Sequence, residues 1–270
     1  MGKKLMKPTN PKRAIVLMYH QIIPDDAPGN WIPNNLADPY YGVTEQVFRE
    51  HLSLFRRLSL PVVDLDHYLS EESSEEEPPI SIIITFDDGY HSDLAIAGRT
   101  LVAAGLPAIF FLSTALLGGK GMMTEEEARE LASLPRMRIG AHGATHRFLT
   151  DLTDEELERE LEDAKHKIQE WSGEQSVYIS APGGRINPNV AQKIMAAGYS
   201  GLLTSNPGAY IKGGEPFFIS RLPVTSTMSV KQLESLLDPD SFSFQANQWI
   251  RTGRRLVREW ISSPISKKKA

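Results

Sequence analysis

The stretch Ser81–Tyr90, SIIITFDDGY, decides the fold that we predict for this chain of 270 residues. Its apolar first half predicts a buried β-strand, and two adjacent carboxylates follow where that strand ends. A second stretch of the same kind, Arg138–His146 (RIGAHGATH), supplies two histidines four residues apart. In α/β proteins the active-site groups gather at the carboxyl ends of parallel strands. The two stretches therefore predict an α/β fold that brings two carboxylates and two imidazoles together.

Each half of this pattern also has an ordinary explanation. Asp-Asp-Gly after a strand is typical of a turn, because Asp bonds its own backbone and Gly tolerates positive φ. His-x-x-x-His is typical of one face of a surface helix. Their joint occurrence favours chemistry, since a carboxylate and two neutral imidazoles leave a zinc-like ion one open position for water. The second carboxylate can then accept a proton from that water.

These two motifs resemble those of the polysaccharide deacetylases with the NodB-homology domain, carbohydrate esterase family 4. TFDDG at 85–89 is similar to the first motif of that family. HGATH at 142–146 is similar to the second, with Gly143 where the family has Ser or Thr. The resemblance covers roughly residues 14–225.

The resemblance implies a role for each of four residues. Asp87 is expected to be the catalytic base, and Asp88, His142 and His146 are expected to bind one divalent metal ion. Zinc is the first choice, and this set of N and O ligands also admits cobalt, nickel or manganese.

The third motif of the family is an Arg-x-Pro-aromatic-Gly turn, and the matching stretch here is Ser180–Arg185, SAPGGR. Pro182 and Gly184 match, whereas Ser180 replaces the arginine and Gly183 replaces the aromatic residue. The resemblance implies that the backbone N–H of Gly183 helps to hold the oxyanion. The alternative is an ordinary Pro-Gly-Gly turn.

Further residues are candidates around this turn. Pro182, Tyr90 and Arg185 are expected to contribute to oxyanion or substrate binding. Because Ser180 replaces the family arginine, we expect Arg185 or Arg221 to supply the salt bridge that the resemblance implies for the base.

The last motif of the family is a strand ending in Leu-x-His that supplies the general acid, but the chain has no histidine after residue 200. Near the start, Ala14–His20 (AIVLMYH) predicts a strand that ends in histidine. It resembles the same strand in a circularly permuted subgroup that includes the poly-N-acetylglucosamine deacetylases. The resemblance implies a circularly permuted, distorted (β/α) barrel of seven or eight parallel strands, with His20 as the acid. A histidine that is merely hydrogen-bonded at a strand end is the alternative.

Composition limits the architecture and the partners. With 41% hydrophobic residues the chain can bury one sizeable core, so we predict a single domain over residues 1–270. The net charge of −5 argues against nucleic acid as the main partner, because phosphate binding needs a basic face. The sequence contains no cysteine, so N and O atoms must hold the metal ion. No apolar run suits a signal peptide or a transmembrane helix, which predicts a cytoplasmic location.

Alternating strands and helices are expected along the chain. Apolar runs predict strands at 15–19, 61–65, 108–112, 137–140 and 177–180. Amphipathic patterns predict helices at 44–58, 92–104, 124–134, 153–171 and 189–197. The histidines His51 and His166 lie in helical patterns and are expected to be solvated, whereas His91 is a candidate for lining the pocket.

Residues 245–270 form a basic C-terminal helix and tail in our prediction. The apolar residues Trp249, Ile250, Leu256, Val257, Trp260 and Ile261 fall on one helical face. Four arginines lie around that face and Lys267–Lys269 follow it. Such a helix can make a peripheral contact with an anionic membrane. The alternative is a closing helix that packs on the barrel and ends in a basic tail.

The sequence as a whole predicts a metal-dependent hydrolase that removes N-acetyl groups from amino sugars of a polysaccharide or glycan precursor. Two alternatives stay open: a deacylase of a lipid-linked or small-molecule N-acyl or O-acyl substrate, and a non-catalytic glycan-binding barrel.

Overall fold

The computed structural model describes residues 11–27, 38–70, 78–174, 178–215, 217–250 and 252. In chain order the strands are β1 Arg13–Tyr19, β2 Ile22–Ile23, β3 Val43–Thr44, β4 Ile80–Asp88, β5 Ala108–Leu112, β6 Met137–Ala141, β7 Tyr178–Ser180, β8 Gly201–Leu203, β9 Tyr210–Ile211, β10 Phe218–Ile219 and β11 Leu222–Pro223. The helices are α1 Glu45–Arg57, α2 Leu65–Leu69, α3 Arg99–Ala104, α4 Glu125–Ser133, α5 Asp154–Ser172, α6 Pro188–Ala196 and α7 Val230–Leu236. Residues 242–250 are also helical.

Eight parallel strands form a nearly closed barrel. They lie side by side in the order β10-β8-β7-β6-β5-β4-β1-β11, and β9 pairs antiparallel with β1. The predicted α/β barrel is therefore confirmed. The first described strand, β1, lies between β4 and the last described strand, β11. A permuted barrel requires its first and last strands to be adjacent in this way. The circular permutation itself stays a prediction.

Alternate side chains of the strands enter two different apolar layers, because successive residues of a strand point to opposite faces. The layer inside the barrel includes Ala14, Val16, Ile83, Ile109 and Phe111. The neighbours of these residues in sequence join a larger layer between the strands and the surrounding helices. Polar residues that continue the inner alternation of a strand therefore end inside the mouth of the barrel.

The end of the barrel at the strand amino termini is closed by α2. Leu65 and Tyr68 of this helix pack into the inner layer. Between them, Asp66 accepts hydrogen bonds from Tyr178 at the start of β7 and from Arg138 near the start of β6. Access to the interior is therefore expected from the opposite end, where the strands finish.

Most predicted elements are confirmed, and one strand is wrong. The predicted helix starts at Thr44, Thr124 and Thr153 are N-caps whose hydroxyls accept backbone N–H bonds. The predicted strand at 61–65 is reduced to one bridge between Val62 and Ile82, because α2 begins directly after its N-cap, Asp64. The predicted helix at 92–104 is present, but residues 93–98 within it are wound as a π-helix.

The C-terminal third of the chain contains elements that the sequence patterns did not predict. Strands β8 to β11 and helix α7 follow the last predicted element. No helix among the described residues is long and apolar enough to cross a bilayer. Of the predicted C-terminal helix, the charged part at 251–270 lies almost entirely outside the described residues.

Candidate active site

The carboxyl ends of four barrel strands bring the sequence-predicted residues together. β4 ends at Asp87 and Asp88, β1 is followed by His20, and β6 is followed by His142. β7 ends at Ser180, which joins the same group. Apart from His20, which is half-buried, these residues are buried.

Asp88, His142 and His146 form a cluster with the donor atoms of a metal site. One ligand atom of each lies within 4.8 Å of the others. Asp88 Oδ1 is 3.3 Å from His142 Nε2 and 3.1 Å from His146 Nε2. A tetrahedral ion with bonds of about 2.1 Å keeps its ligand atoms roughly 3.4 Å apart. The three residues therefore fit a divalent ion such as zinc.

Two of these three residues have an unusual backbone conformation. φ is 87° at Asp88 and 63° at His146, in the region that non-glycine residues rarely adopt. Regular strand alternation would point Asp87 and Asp88 to opposite faces of the sheet. The positive φ at Asp88 ends that alternation, so both carboxylates reach the same site. Such strain is typical of functional sites that the surrounding fold holds in place.

The side chain of His142 is fixed by a hydrogen bond on its other ring nitrogen. Nδ1 lies 2.9 Å from the carbonyl oxygen of Ser180 and donates to it, since a carbonyl only accepts. Nε2 is then unprotonated in the neutral ring and turned towards Asp88. Metal-binding histidines commonly have this arrangement.

The loop between the two histidines is held by Glu160 of α5. This carboxylate accepts from the backbone N–H of Thr145 at 2.7 Å and from its hydroxyl at 2.9 Å. Gly143 has a φ of 68°, and a Cβ there would stand 2.7 Å from Glu160 Oε1. This close approach explains why Gly occupies the position where the resembling family has Ser or Thr.

Asp87 forms a two-pronged ion pair with Arg221, which is fully buried just before β11. Both carboxylate oxygens accept from the guanidinium at 2.7 Å. The remaining N–H groups of Arg221 donate to the Thr204 carbonyl and to the hydroxyls of Thr85 and Ser180. All five N–H donors of this arginine therefore have acceptors.

The charges around the two carboxylates keep both of them ionised. Burial alone would raise the pKa of Asp87, but the charge and hydrogen bonds of Arg221 outweigh it and lower that pKa. Burial likewise opposes ionisation of Asp88, but the neighbouring imidazoles of His142 and His146 hold its pKa well below the usual value. Asp87 is therefore a carboxylate that can accept a proton.

Of the two arginines that the sequence left open, Arg221 is the one that orients Asp87. Ser180 stands where the family arginine was expected, and its hydroxyl donates to Asp87 at 3.0 Å while accepting from Arg221. Arg185 lies elsewhere: its guanidinium stacks on the Phe148 ring at 3.8 Å and is 3.9 Å from Asp151. The role of Arg185 in substrate binding stays a prediction.

The central residue of the Pro182–Gly184 turn is a glycine in the left-handed backbone region. Gly183 has a φ of 62°, and a Cβ on it would stand 2.4 Å from the ring of Phe148. Phe148 therefore fills space into which a side chain at position 183 would extend, which accounts for the missing aromatic residue of the third motif. The expected contact of the Gly183 N–H with an oxyanion stays a prediction, and so does any role of Pro182.

His20 lies at the same mouth of the barrel. Its ring stacks on Tyr41 with 4.4 Å between the ring centres. Its Nδ1 atom is buried and has no hydrogen-bond partner in the described part of the chain. Burial lowers the pKa of His20, and the charges of Asp88 and Asp87 act against that effect. The half-buried ring of His20 therefore lies beside these carboxylates, where the sequence expected it.

Two further buried residues extend the site after β4. The hydroxyl of Tyr90 bonds to the Asp88 carboxylate, and burial together with that negative charge raises the pKa of Tyr90. Asp93, at the start of the π-helix, is fully buried, and neither carboxyl oxygen has a hydrogen-bond partner among the described residues. Burial and the charge of Asp88 raise the pKa of Asp93 well above its usual value. Asp93 could not be recognised from the sequence, because its burial without a hydrogen-bond partner depends on tertiary packing.

The remaining histidines lie outside the cluster. The expectation that His51 is solvated is wrong: it is fully buried, and its Nδ1 is 3.0 Å from the Tyr19 hydroxyl. His91 is mostly exposed and lies 2.9 Å from Glu127. His166 is exposed, as expected.

Comparison with known proteins identifies sequence relatives. Residues 74–202 match the family model described as Polysaccharide deacetylase. The curated protein "Putative polysaccharide deacetylase YxkH" of Bacillus subtilis (strain 168) is 26% identical over 227 residues, which cover 83% of this chain and 76% of YxkH.

Solved structures share the fold. The Streptococcus pyogenes deacetylase PplD superimposes with a TM-score of 0.72 at 20% identity, over 85% of this chain and all of that one. IcaB from Ammonifex degensii gives a TM-score of 0.69 at 20% identity, over 83% of this chain and 96% of IcaB.

Proposed function

We propose that this chain, whose residues 74–202 match the polysaccharide deacetylase family model, is a hydrolase of that family. It would remove acetyl groups from N-acetylated amino sugars of a glycan or glycan precursor in a metal-dependent reaction. One observation carries the proposal. An ionised carboxylate, Asp87, is fixed by Arg221 next to a second carboxylate and two imidazoles that fit a divalent ion.

Asp88, His142 and His146 would hold the ion. When bound, a divalent ion polarises an acyl carbonyl and lowers the pKa of a water molecule towards neutrality. The donor set of one carboxylate and two imidazoles suits zinc and also admits cobalt, nickel or manganese.

Asp87 is the proposed general base. Its pairing with Arg221 and Ser180 keeps it ionised and fixes its orientation, so it is ready to accept a proton from the water that attacks the acetyl carbon. The backbone N–H of Gly183 would stabilise the negative charge that develops on the carbonyl oxygen.

His20 is the proposed general acid. Its half-buried ring lies beside the two carboxylates at the mouth of the barrel. When the C–N bond breaks, transfer of a proton from His20 allows the nitrogen to leave as an amine. The products are acetate and a free amino sugar.

Acetate release tests the proposal. The metal-loaded protein is incubated with N-acetylglucosamine oligomers of different lengths and, separately, with O-acetylated sugars, and acetate is measured. We expect release from the N-acetyl oligomers. The variant Asp87→Asn should bind the same amount of metal and lose about 10²- to 10⁴-fold in rate, which is the usual contribution of a general base. Normal turnover by Asp87→Asn would contradict the proposed role, and release from esters alone would favour an O-deacylase.

A further inference from the structure

The ring of His20 is stacked on the ring of Tyr41 at the mouth of the barrel. The two ring centres are 4.4 Å apart, and the ring planes are inclined by 23° to each other. Both side chains are half-buried. A stacked neighbour limits the tilt of a ring and forms no bond to either ring nitrogen. Tyr41 therefore constrains the plane of the imidazole that we propose as the acid.

The buried nitrogen of His20 gives the ring no comparable support. Nδ1 has no hydrogen-bond partner among the described residues. The ring of His142, in contrast, is held at its Nδ1 by the carbonyl oxygen of Ser180 at 2.9 Å. Active-site histidines commonly have one ring nitrogen bonded in this way, which sets the orientation of the ring. For His20 the stack on Tyr41 takes the place of such a bond.

The backbone register of β2 and β3 brings the two rings together. In this parallel pair Ile22 lies opposite Val43, and the Gln21 carbonyl accepts from the Val43 N–H at 3.0 Å. Neighbouring strands lie about 4.8 Å apart. His20 and Tyr41 each lie two residues before one member of the Ile22–Val43 pair, so the same register places them side by side. The stack is thus a consequence of strand pairing.

The turn that carries Tyr41 is anchored to the strand that leads to the imidazole. Tyr40 packs edge-on against Tyr41 with 5.1 Å between the ring centres, and its carbonyl accepts from the Ser226 N–H at 2.8 Å. Two residues before Ser226, the N–H of Val224 donates to the carbonyl of Met18 in β1 at 2.9 Å. Both partners of the stack are therefore fixed relative to β1.

We infer that Tyr41 is a positioning residue for the reaction, whose ring holds the imidazole of His20 in the orientation from which a proton reaches the departing amine. The inference rests on the proposed function, in which His20 is the acid. A general acid must lie within hydrogen-bond reach of the atom that it protonates. A displacement of about 1 Å in such a group can cost roughly 100-fold in rate. Tyr41 acts through His20 and needs no contact with the substrate.

Nuclear magnetic resonance of the metal-free protein tests the stack itself. The carbon-bound protons of an imidazole that lies on a tyrosine ring are shifted upfield by the ring current. Tyr41→Phe should keep this shift for His20, and Tyr41→Leu should abolish it. Phe218→Leu is the matched control, because Phe218 is 44% exposed and packs against Phe217 on β10. Unchanged His20 resonances in Tyr41→Leu would overturn the inference.

Kinetics of the metal-loaded protein test what the stack does. The parameters kcat and KM are measured on N-acetylglucosamine oligomers and on an activated acetate ester. Tyr41→Leu should lose about 10- to 100-fold in kcat on the amide and little on the ester, whose leaving group departs without a proton. Tyr41→Phe should behave like the parent protein, because the ring is retained. A rise in KM with unchanged kcat would mean that Tyr41 binds the sugar, and would overturn the inference.

A double variant shows whether Tyr41 acts through His20. H20Q/Y41L should be no slower on the amide than H20Q, because residues that act as a pair are not additive. The same loss from Y41L with and without His20 would overturn the inference. A selective amide loss in H20Q but not in Y41L would overturn it and leave the proposed function intact, whereas equal amide and ester losses in H20Q would overturn both. Y41M, which has a side chain without a ring, repeats the comparison if Y41L lowers the melting temperature.

Discussion

At the residue scale, the site is organised by Arg221. This arginine is completely buried, so its charge is acceptable only because protein acceptors match all five N–H groups. Two of those acceptors are the oxygens of Asp87. The same contacts that stabilise Arg221 therefore keep the proposed base ionised and correctly oriented.

Replacement of Arg221 should damage stability and catalysis together. Arg221→Gln leaves Asp87 buried without its counter-charge, and the loss of one partner from such a pair costs about 3 to 5 kcal/mol in the free energy of unfolding. Arg221 lowers the pKa of Asp87, so that pKa should rise in the variant. The acid limb of the kcat/KM profile should then move to higher pH.

Ser180→Ala is the milder comparison for that experiment. It removes the hydrogen bond to Asp87 and the acceptor of one Arg221 N–H but leaves the ion pair. The acid limb should therefore move little, and stability should fall by about 1 to 3 kcal/mol. An unchanged pH profile in Arg221→Gln would contradict the role that we assign to Arg221.

His20 allows a second prediction at this scale. His20→Gln should leave metal binding and the fold intact and should slow amide hydrolysis, because the leaving amine needs a proton. Activated esters leave without one, so their hydrolysis should be affected much less. Measurement of kcat for an amide and an activated ester in both proteins checks this difference. An equal loss on both substrates would mean that His20 acts in binding and not as the acid.

Single residues were predictable where a local motif carried the information. Asp88, His142 and His146 follow strands in recognisable stretches, and the structure brings them within bonding distance of a common ion. Arg221 could be named only as one of two candidates, since its partner Asp87 is 134 positions away in sequence. The sequence could not show that Phe148 lies beside the third motif, because this position depends on its packing against Gly183.

At the element scale, α5 supports the metal-binding loop from behind. Its buried Glu160 accepts hydrogen bonds from both the backbone N–H and the hydroxyl of Thr145, the residue directly before His146. Supporting contacts of this kind hold metal ligands in position, and their removal commonly weakens metal binding about 10- to 100-fold.

Glu160→Gln should therefore reduce metal affinity, although Glu160 is not itself a ligand. Competition with a chelator of known affinity measures the change, and we expect roughly a tenfold loss. Glu162→Gln is the matched control, because Glu162 lies on the same helix but is exposed. If both variants bound the metal as tightly as the parent protein, the loop would be shown not to depend on α5.

Element boundaries were predictable from the sequence where capping chemistry marks them. The helices that begin after Thr44, Thr124 and Thr153 do so because a threonine oxygen accepts an otherwise unpaired backbone N–H. The stretch 61–65 has the apolar character of a strand, but Asp64 caps α2 and cuts the strand short. The π-helix at 93–98 has no sequence signature of this kind.

At the scale of the whole molecule, barrel closure explains why a strand from the start of the chain can serve the site. β1 pairs with β4 over its full length and with β11 on its other side. His20 therefore reaches a site whose other residues come from the middle of the chain and from Arg221 near β11. Pairing partners this distant could be expected from the family resemblance but not from local patterns.

Acid should destabilise the whole fold through His51. Burial lowers the pKa of this imidazole to about 4 in the folded protein, against about 6.5 when unfolded. The unfolded chain takes up a proton on His51 at a higher pH than the folded protein does. His51 therefore leaves the free energy of unfolding unchanged above about pH 6.5 and lowers it as the pH falls towards 4. The loss should amount to about 3 kcal/mol in the free energy of unfolding.

Urea unfolding between pH 4 and 7 measures that loss. His51→Gln should flatten the dependence on pH in this window, whereas His166→Gln, at an exposed position on α5, should leave it as it is. A parent protein of constant stability from pH 7 to 4 would show that His51 is not the buried neutral group that we describe.

The central claim, a single metal ion held by Asp88, His142 and His146 and needed for deacetylation, is tested most directly by titrating the metal-free protein with zinc while acetate release is followed. Activity should rise in proportion to the zinc added and stop rising at one equivalent per chain. The double variant H142A/H146A should bind no stoichiometric zinc and release no acetate. Full activity in the metal-free protein, or one equivalent of tightly bound zinc in the double variant, would contradict the account.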